Sequence, residues 1–226
     1  MLIKLKGVLD ERTLAQIREK LSVAHFVDGK LTAGSDAQKV KKNLELRQNN
    51  DLVGEIHQLV LGALKNSNEF WWATRFKAML PPLIAKYEPG MFYGSHLDNA
   101  VMGGDDLRIR TDVSITVFLN GPGDYDGGEL TLDNGFEVMK VKGNAGDAVT
   151  YPSTFYHHVA PVTRGQRLVF VNWIQSAVSD VRKRKILYDL AILARHLRKK
   201  GQGPESTELK LTELCHQNLI RMWSQM

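Results

Sequence analysis

The period of the apolar residues changes twice along the chain. In DERTLAQIREKLSV, residues 10–23, Leu14, Ile17 and Leu21 recur at three and four, the spacing that lines one face of an α-helix. DLVGEIHQLVLGALKN, residues 51–66, repeats it and predicts a second helix, with His57 a structural residue among Ile56, Leu59 and Val60. Residues 24–50 are polar and glycine-containing, with little periodicity. From about residue 70 short segments rich in Val, Thr, Tyr, Phe and Ile follow one another: FWWATRFKAM, PLIAKYEPG, RTDVSITVFLN, GELTLDNGFEVMKV, DAVTYPS, HHVAPVTRG and RLVFVNWIQS. Gly-Pro-Gly, Asp-Gly-Gly, Asn-Gly and Arg-Gly separate them, as turns separate strands. Thr111–Leu119 and Arg167–Trp173 alternate, which predicts one buried face for each. Near residue 177 the helical period returns, in SDVRKRKILYDLAILARHLRKKG and, after Gly-Gln-Gly-Pro, in STELKLTELCHQNLIRMW.

Helices, a run of strands and two final helices are thus segregated, which excludes a βαβ protein. The expectation is a mainly β fold with flanking helices, an antiparallel sandwich or barrel. No G-x-G-x-x-G follows a strand and no Walker loop is present. The chain of 226 residues, 43% hydrophobic, is ample for one sizeable core. It has one cysteine, Cys215, so no disulfide framework forms within it, which fits a reducing cytoplasm. The N-terminus lacks the apolar run of a signal peptide, and no stretch approaches the ~18 apolar residues of a membrane span.

The formal charge is +5, and residues 179–200 alone carry +6 from eight Lys or Arg against Asp180 and Asp189. That density raises nucleic acid or an acidic partner. The segment has only Tyr188 as an aromatic, too few for base stacking, so the expectation is a solvated helix and no nucleic-acid site. Ile186, Leu190, Leu193 and Leu197 fall at spacings of four, three and four. That face should pack on the strand core or, in a homo-oligomer through the C-terminal helices, on a second copy.

The candidate chemistry begins in FYGSHLDNA, residues 92–100, where His96 and Asp98 stand two apart. On a strand that spacing puts both side chains on one face. His157-His158 follows in YPSTFYHHVAPVTRG, and Arg167 lies ten residues past His157. Two histidines and one carboxylate leave three coordination positions open, which suits non-haem Fe(II). A 2-oxo acid can chelate such a metal, and arginine suits its far carboxylate because the planar guanidinium grips in bidentate fashion. Adjacent strand residues face opposite ways, so only one of His157 and His158 can reach a metal.

HLDN, DGGEL, AGDAVTYPS and HHVAPVTRGQR together resemble the Fe(II)- and 2-oxoglutarate-dependent dioxygenases of the prolyl 4-hydroxylase type, and most closely the PKHD-type hydroxylases. The resemblance implies a double-stranded β-helix, or jelly roll, over 78–177, with an N-terminal helical and strand support region over 1–77 and a helical C-terminal extension over 178–226. It implies Fe(II) on His96, Asp98 and His157, with His158 a bystander. Arg167 and Tyr87 would take 2-oxoglutarate; the plain alternative for Tyr87 is a core aromatic. O₂ is the other cosubstrate, and L-ascorbate a further cofactor. The expected activity is hydroxylation of an unidentified small-molecule or peptide substrate with release of succinate and CO₂. NAVMGGDDLRIR, just after the H-x-D pair, is a candidate lid. The rival is a non-catalytic, cupin-like jelly roll that holds a metal or ligand; it predicts a missing metal ligand or arginine, and neither is missing.

Overall fold

A computed structural model describes residues 1–47 and 51–225. Two antiparallel sheets face each other. The larger runs, strand by strand, Ile3–Leu5, Ala148–Pro152, Val113–Phe118, Arg167–Ser176, Leu83–Tyr87, Leu44–Leu46 and Phe26–Asp28, with Phe76–Met79 also on Arg167–Ser176. The smaller runs Val138–Val141, Leu130–Asp133, Tyr156–Val159, Phe92–His96 and Lys41–Lys42. This is the jelly roll with flanking helices.

The strand Val113–Phe118 departs from the expectation of one buried face, because all six residues are buried. Val113, Ile115 and Val117 pack on a helical layer built from Leu14, Ile17 and Leu21 of helix Glu11–Ser22 and Val53, Ile56, Val60 and Leu64 of helix Asp51–Lys65. The polar alternates Ser114 and Thr116 face inward instead of toward solvent. Burying each large aliphatic side chain of that layer contributes about 1.5–3 kcal/mol, so the helices fix the outer face of the large sheet firmly. The first helix starts where Asp10 accepts the Thr13 amide at 2.8 Å, a cap that satisfies an otherwise orphaned donor.

FWWAT is helical, in Asn68–Thr74, and the strand begins only at Phe76. Ser67 caps this helix by accepting from the Phe70 amide, and Phe70 is drawn into the helical layer, so capping and packing override the aromatic β-propensity.

Helix Val181–Lys199 is capped by Asp180, which accepts from the Arg182 and Lys183 amides. Its buried positions are Arg184, Leu187, Ala191 and Ala194, while Ile186 and Leu193 are 46% and 44% exposed. The face on the rest of the molecule is therefore not the stripe of Ile186, Leu190, Leu193 and Leu197. Small alanines allow close approach there, and Arg184 anchors the helix by donating to the Val178, Ser179 and Asp112 carbonyls. The last helix, Thr207–Trp223, packs on this one. Among the described residues, no helix is long and apolar enough to cross a membrane.

Candidate functional site

Between the sheets lies a cavity of about 580 Å³. His96, Asp98, His157, Arg167 and Tyr87 all line it. The first three each offer a ligand atom, all within 4.8 Å of one another. His158 stands opposite Thr131 on the neighbouring strand and is absent from this cluster.

The strand register explains the convergence. His96 and His157 are direct partners across adjacent strands, and their rings lie 4.2 Å apart between centroids. The strand Phe92–His96 ends at His96, so Asp98 is not carried by a continuing strand as the spacing suggests. Its carboxylate is held from the opposite sheet. Ser114 Oγ donates to Asp98 Oδ2 at 2.5 Å and is itself 2.7 Å from Ser153 Oγ. The other oxygen, Oδ1, lies 3.8 Å from His157 Nε2. Thr111 steadies the following turn, its hydroxyl donating to the Asn99 carbonyl and its amide to the Ala100 carbonyl.

Both imidazoles are oriented the same way. His96 Nδ1 lies 2.8 Å from the Gly94 carbonyl, and His157 Nδ1 lies 3.0 Å from the Phe155 carbonyl. A carbonyl can only accept, so each Nδ1 carries the proton and each Nε2 keeps its lone pair for a metal. Burial, then the neighbouring His157, pulls the His96 pKa down to about 4, so His96 is a neutral ligand at physiological pH. Tyr93 stacks on it at 3.7 Å between centroids. Gly94 is required for a packing reason: a Cβ there would lie 2.7 Å from Val40 Cβ.

Arg167 is 1% exposed, yet its Nε has no hydrogen-bond partner. No carboxylate among the described residues pairs with it. A buried guanidinium without an anion is costly, so this end of the cavity is built for one. Tyr87 is the direct strand partner of Arg167, with the guanidinium 5.1 Å from its ring centroid. Burial pushes the Tyr87 hydroxyl up to about 12, partly offset by Arg167, so it remains a neutral donor. Arg110 cannot substitute for Arg167, because it is bound in bidentate fashion to Asp112 at 2.7 and 3.0 Å.

DGGEL owes its glycines to the same place. Gly127 and Gly128 have φ of +71° and +66°, a region that L side chains avoid. A Cβ on Gly128 would lie 3.1 Å from Arg167 Cδ and Tyr125 Cε2, and one on Gly127 would lie 2.1 Å from the Pro161 carbonyl oxygen. The segment 99–110 forms a hairpin of Val101–Gly103 and Arg108–Arg110. Met102 reaches the cavity and Ile109 is buried beside Trp173. Trp173 Nε1 is a second buried donor without a partner on the cavity wall.

Sequence reasoning missed Ser114 and the buried pair Lys41 and Glu45. Ser114 had a signal, as a polar residue in an alternating strand. Lys41 and Glu45 lay in an aperiodic stretch and had none.

The donor set therefore fits Fe(II), two neutral imidazoles and one carboxylate with open positions, and the orphaned arginine fits a carboxylate. Comparison with known proteins agrees. Residues 82–175 match the model of the 2OG-Fe(II) oxygenase superfamily. The chain is 42% identical, over 225 residues and the full length of both chains, to a PKHD-type hydroxylase of Picosynechococcus sp.. It is 39% identical, again over both full lengths, to a PKHD-type hydroxylase of Saccharophagus degradans. Its fold is similar to that of a prolyl hydroxylase from Trichoplax adhaerens solved with a peptide fragment of hypoxia inducible factor. The TM-score is 0.56 at 15% identity, over 77% of this chain and 83% of that one.

Proposed function

The chain belongs to the 2OG-Fe(II) oxygenase superfamily, within its PKHD-type hydroxylases, and from that premise we propose that His96, Asp98 and His157 seat the iron while Arg167 and Tyr87 seat 2-oxoglutarate. The protein is a 2-oxoglutarate-dependent dioxygenase that uses Fe(II), 2-oxoglutarate and O₂. Iron bound at such a site couples oxidative decarboxylation of 2-oxoglutarate to insertion of oxygen into a substrate C–H bond, with release of succinate and CO₂.

The observation that carries the residue assignment is the shared cavity. Three ligand atoms lie within 4.8 Å of one another, and the same walls hold a buried arginine with an unpartnered Nε. His96 and His157 present Nε2 because Gly94 and Phe155 fix the proton on Nδ1. Asp98 presents Oδ1 because Ser114 occupies Oδ2. Arg167 supplies the parallel N–H pair that a carboxylate accepts, and Tyr87 a neutral hydroxyl beside it. Val171, Leu83, Leu130 and Val159 supply apolar wall, which keeps water from the reacting centre. Nothing here supports the cupin-like reading, since the full-length relatives are hydroxylases.

The test is anaerobic titration with Fe(II) and 2-oxoglutarate, followed by the visible charge-transfer band and then succinate release on adding O₂. A wild-type protein that forms no band with both additions refutes the assignment. We infer further that L-ascorbate sustains turnover and that the protein works in the cytoplasm, the latter from its single cysteine. The primary substrate is a small molecule or peptide, and nucleic acid and membrane are not partners. The exposed Ile186, Leu193, Leu211, Leu214 and Met222 of the two C-terminal helices support self-association there, tested by light scattering of wild type and Leu193→Glu.

A further inference from the structure

Residues 41–46 cross from one sheet to the other at the cavity. Lys41 pairs with Tyr93 in the small sheet, and Glu45 pairs with Ala85 in the large one. Their side chains meet, with Lys41 Nζ 2.5 Å from Glu45 Oε1, and both line the cavity while 3% and 2% exposed. Thr32 joins them: its hydroxyl bonds to Glu45 Oε2, and Lys41 Nζ lies 3.3 Å from its Oγ1. The ammonium also sits 5.1 Å from the centroid of the Tyr93 ring that stacks on His96. So a buried ion pair stands on the wall of the same chamber as the candidate metal ligands, one aromatic ring away from His96.

A clasp between two sheets does not need charges. Well-packed apolar residues of similar volume would hold the crossing as well or better, because desolvation of a buried pair offsets its attraction. What the pair adds is polarity inside the chamber. We propose that Lys41 and Glu45 are the polar subsite that reads the primary substrate, and that the group they take is an uncharged amide. This rests on the site reading above.

Charge balance selects the amide. The charged residues lining the cavity are Lys41 and Arg167 against Glu45 and Asp98, a formal sum of zero. A divalent iron and the 2-oxoglutarate dianion cancel as well. A substrate group that brought net charge against the buried Lys41 and Glu45 would be uncompensated. Lys41 has three N–H donors, of which Glu45 and Thr32 take two, and the Glu45 carboxylate has lone pairs beyond its two bonds. That leaves one Lys41 donor and Glu45 lone pairs unused by these contacts. An amide satisfies both at once, its carbonyl accepting from Lys41 and its N–H donating to Glu45. A carboxylate would meet Glu45 as a like charge, and an ammonium would meet Lys41 so.

The test uses three probes of one shape, hexanamide, hexanoate and hexylammonium, with saturation-transfer NMR as the readout. It is run on the purified protein and again after loading with Zn(II) and 2-oxoglutarate. Hexanamide should bind wild type at millimolar concentration, with each charged probe about tenfold weaker, the scale of a charge-assisted hydrogen bond lost or opposed. Lys41→Met and Glu45→Gln should each weaken the amide by a similar factor. Either single variant can leave a buried charge alone and fail to fold, so Lys41→Met with Glu45→Leu, an apolar pair, is the deciding form. It should fold, by circular dichroism, and lose the amide. Hexanamide bound equally by that double variant, a charged probe preferred by wild type, or no amide binding to wild type overturns the proposal. The charge-transfer band of wild type is read separately, so a failure of the metal site is told apart from a failure of this subsite.

Discussion

Arg167 carries the sharpest prediction. Its guanidinium is 1% exposed, with an unpartnered Nε and Tyr87 against its face. Arg167→Lys keeps one charge but gives up the planar fork, so one of two parallel charged hydrogen bonds to the 2-oxoglutarate carboxylate is lost. Such a bond contributes about 1.5–3 kcal/mol, and about 1.4 kcal/mol is a factor of ten. The 2-oxoglutarate concentration for half-maximal succinate formation should therefore rise roughly tenfold to a hundredfold. Iron affinity should hold, because Arg167 is not among the clustered ligand atoms. Arg167→Met should abolish 2-oxoglutarate binding yet stabilise the ligand-free protein. Exchanging a buried, unpaired charge for an apolar side chain of similar length is worth about 1–2 kcal/mol here, or about 2–8 °C in melting temperature for a chain of this size. The assay pairs succinate formation against 2-oxoglutarate concentration with a thermal melt of the metal-free forms. An unchanged 2-oxoglutarate requirement in Arg167→Met would refute the clamp. A large drop in its melting temperature would show that the guanidinium is satisfied in the resting protein and would remove the premise.

Four further outcomes are expected. His96→Ala, Asp98→Ala or His157→Ala should each abolish the charge-transfer band with the fold intact, while His158→Ala keeps it; the reverse for the two neighbouring histidines would put the register off by one. Ser114→Ala should weaken iron binding about tenfold to a hundredfold by freeing Asp98, measured by competition with a chelator, and an unchanged affinity would deny the serine its role. Gly128→Ala should raise the 2-oxoglutarate requirement by pushing on Arg167 and cost about 1–2 kcal/mol of stability for its positive φ, with iron affinity as the internal control. At the C-terminus, His216 Nε2 lies 2.6 Å from Arg75 Nη2. Burial and then Arg75 lower its pKa, against Glu213, so the neutral ring accepts that bond. The stability this gives is full above about pH 6.5, the ordinary histidine value. It is lost as pH falls through the lowered value. Amide protection in Thr207–Trp223, corrected for the intrinsic pH dependence of exchange, should fall as pH is lowered below about 6.5 in wild type and much less in His216→Gln.

An antiparallel sandwich or barrel was legible because its strands are short, β-branched and set between glycine turns, and because alternation survives in Val113–Phe118 and Arg167–Ser176; the resemblance narrowed it to a jelly roll. What alternation could not say is where its polar side points. In most antiparallel sheets that side is solvent; here it is the chamber, and Ser114 and Thr116 are polar because a carboxylate and a cavity lie beneath them. The helical stripe on Val181–Lys199 did not mark the face that packs within the chain, for a related reason. Leucines at the right spacing mark an apolar face, but Arg184 and two alanines form the contact, because small residues and a chelated arginine let the helix sit closer.

The candidate pair His96 and Asp98 stood out by its spacing, and the resemblance chose His157 over His158; in the structure a carbonyl two residues back orients each histidine ring, and that contact is local. The groups that spacing did not reveal act across the cavity. Ser114 reaches Asp98 from the other sheet, Gly128 makes room for Arg167 from a turn, and Lys41 and Glu45 meet only because residues 41–46 pass between the sheets. The proposed substrate subsite, Thr32, Lys41 and Glu45, comes from the N-terminal stretch outside the residues that match the family model. Substrate choice in this protein should therefore respond to substitutions at Thr32, Lys41 and Glu45 far more than to any change within the H-x-D motif that still permits iron to bind.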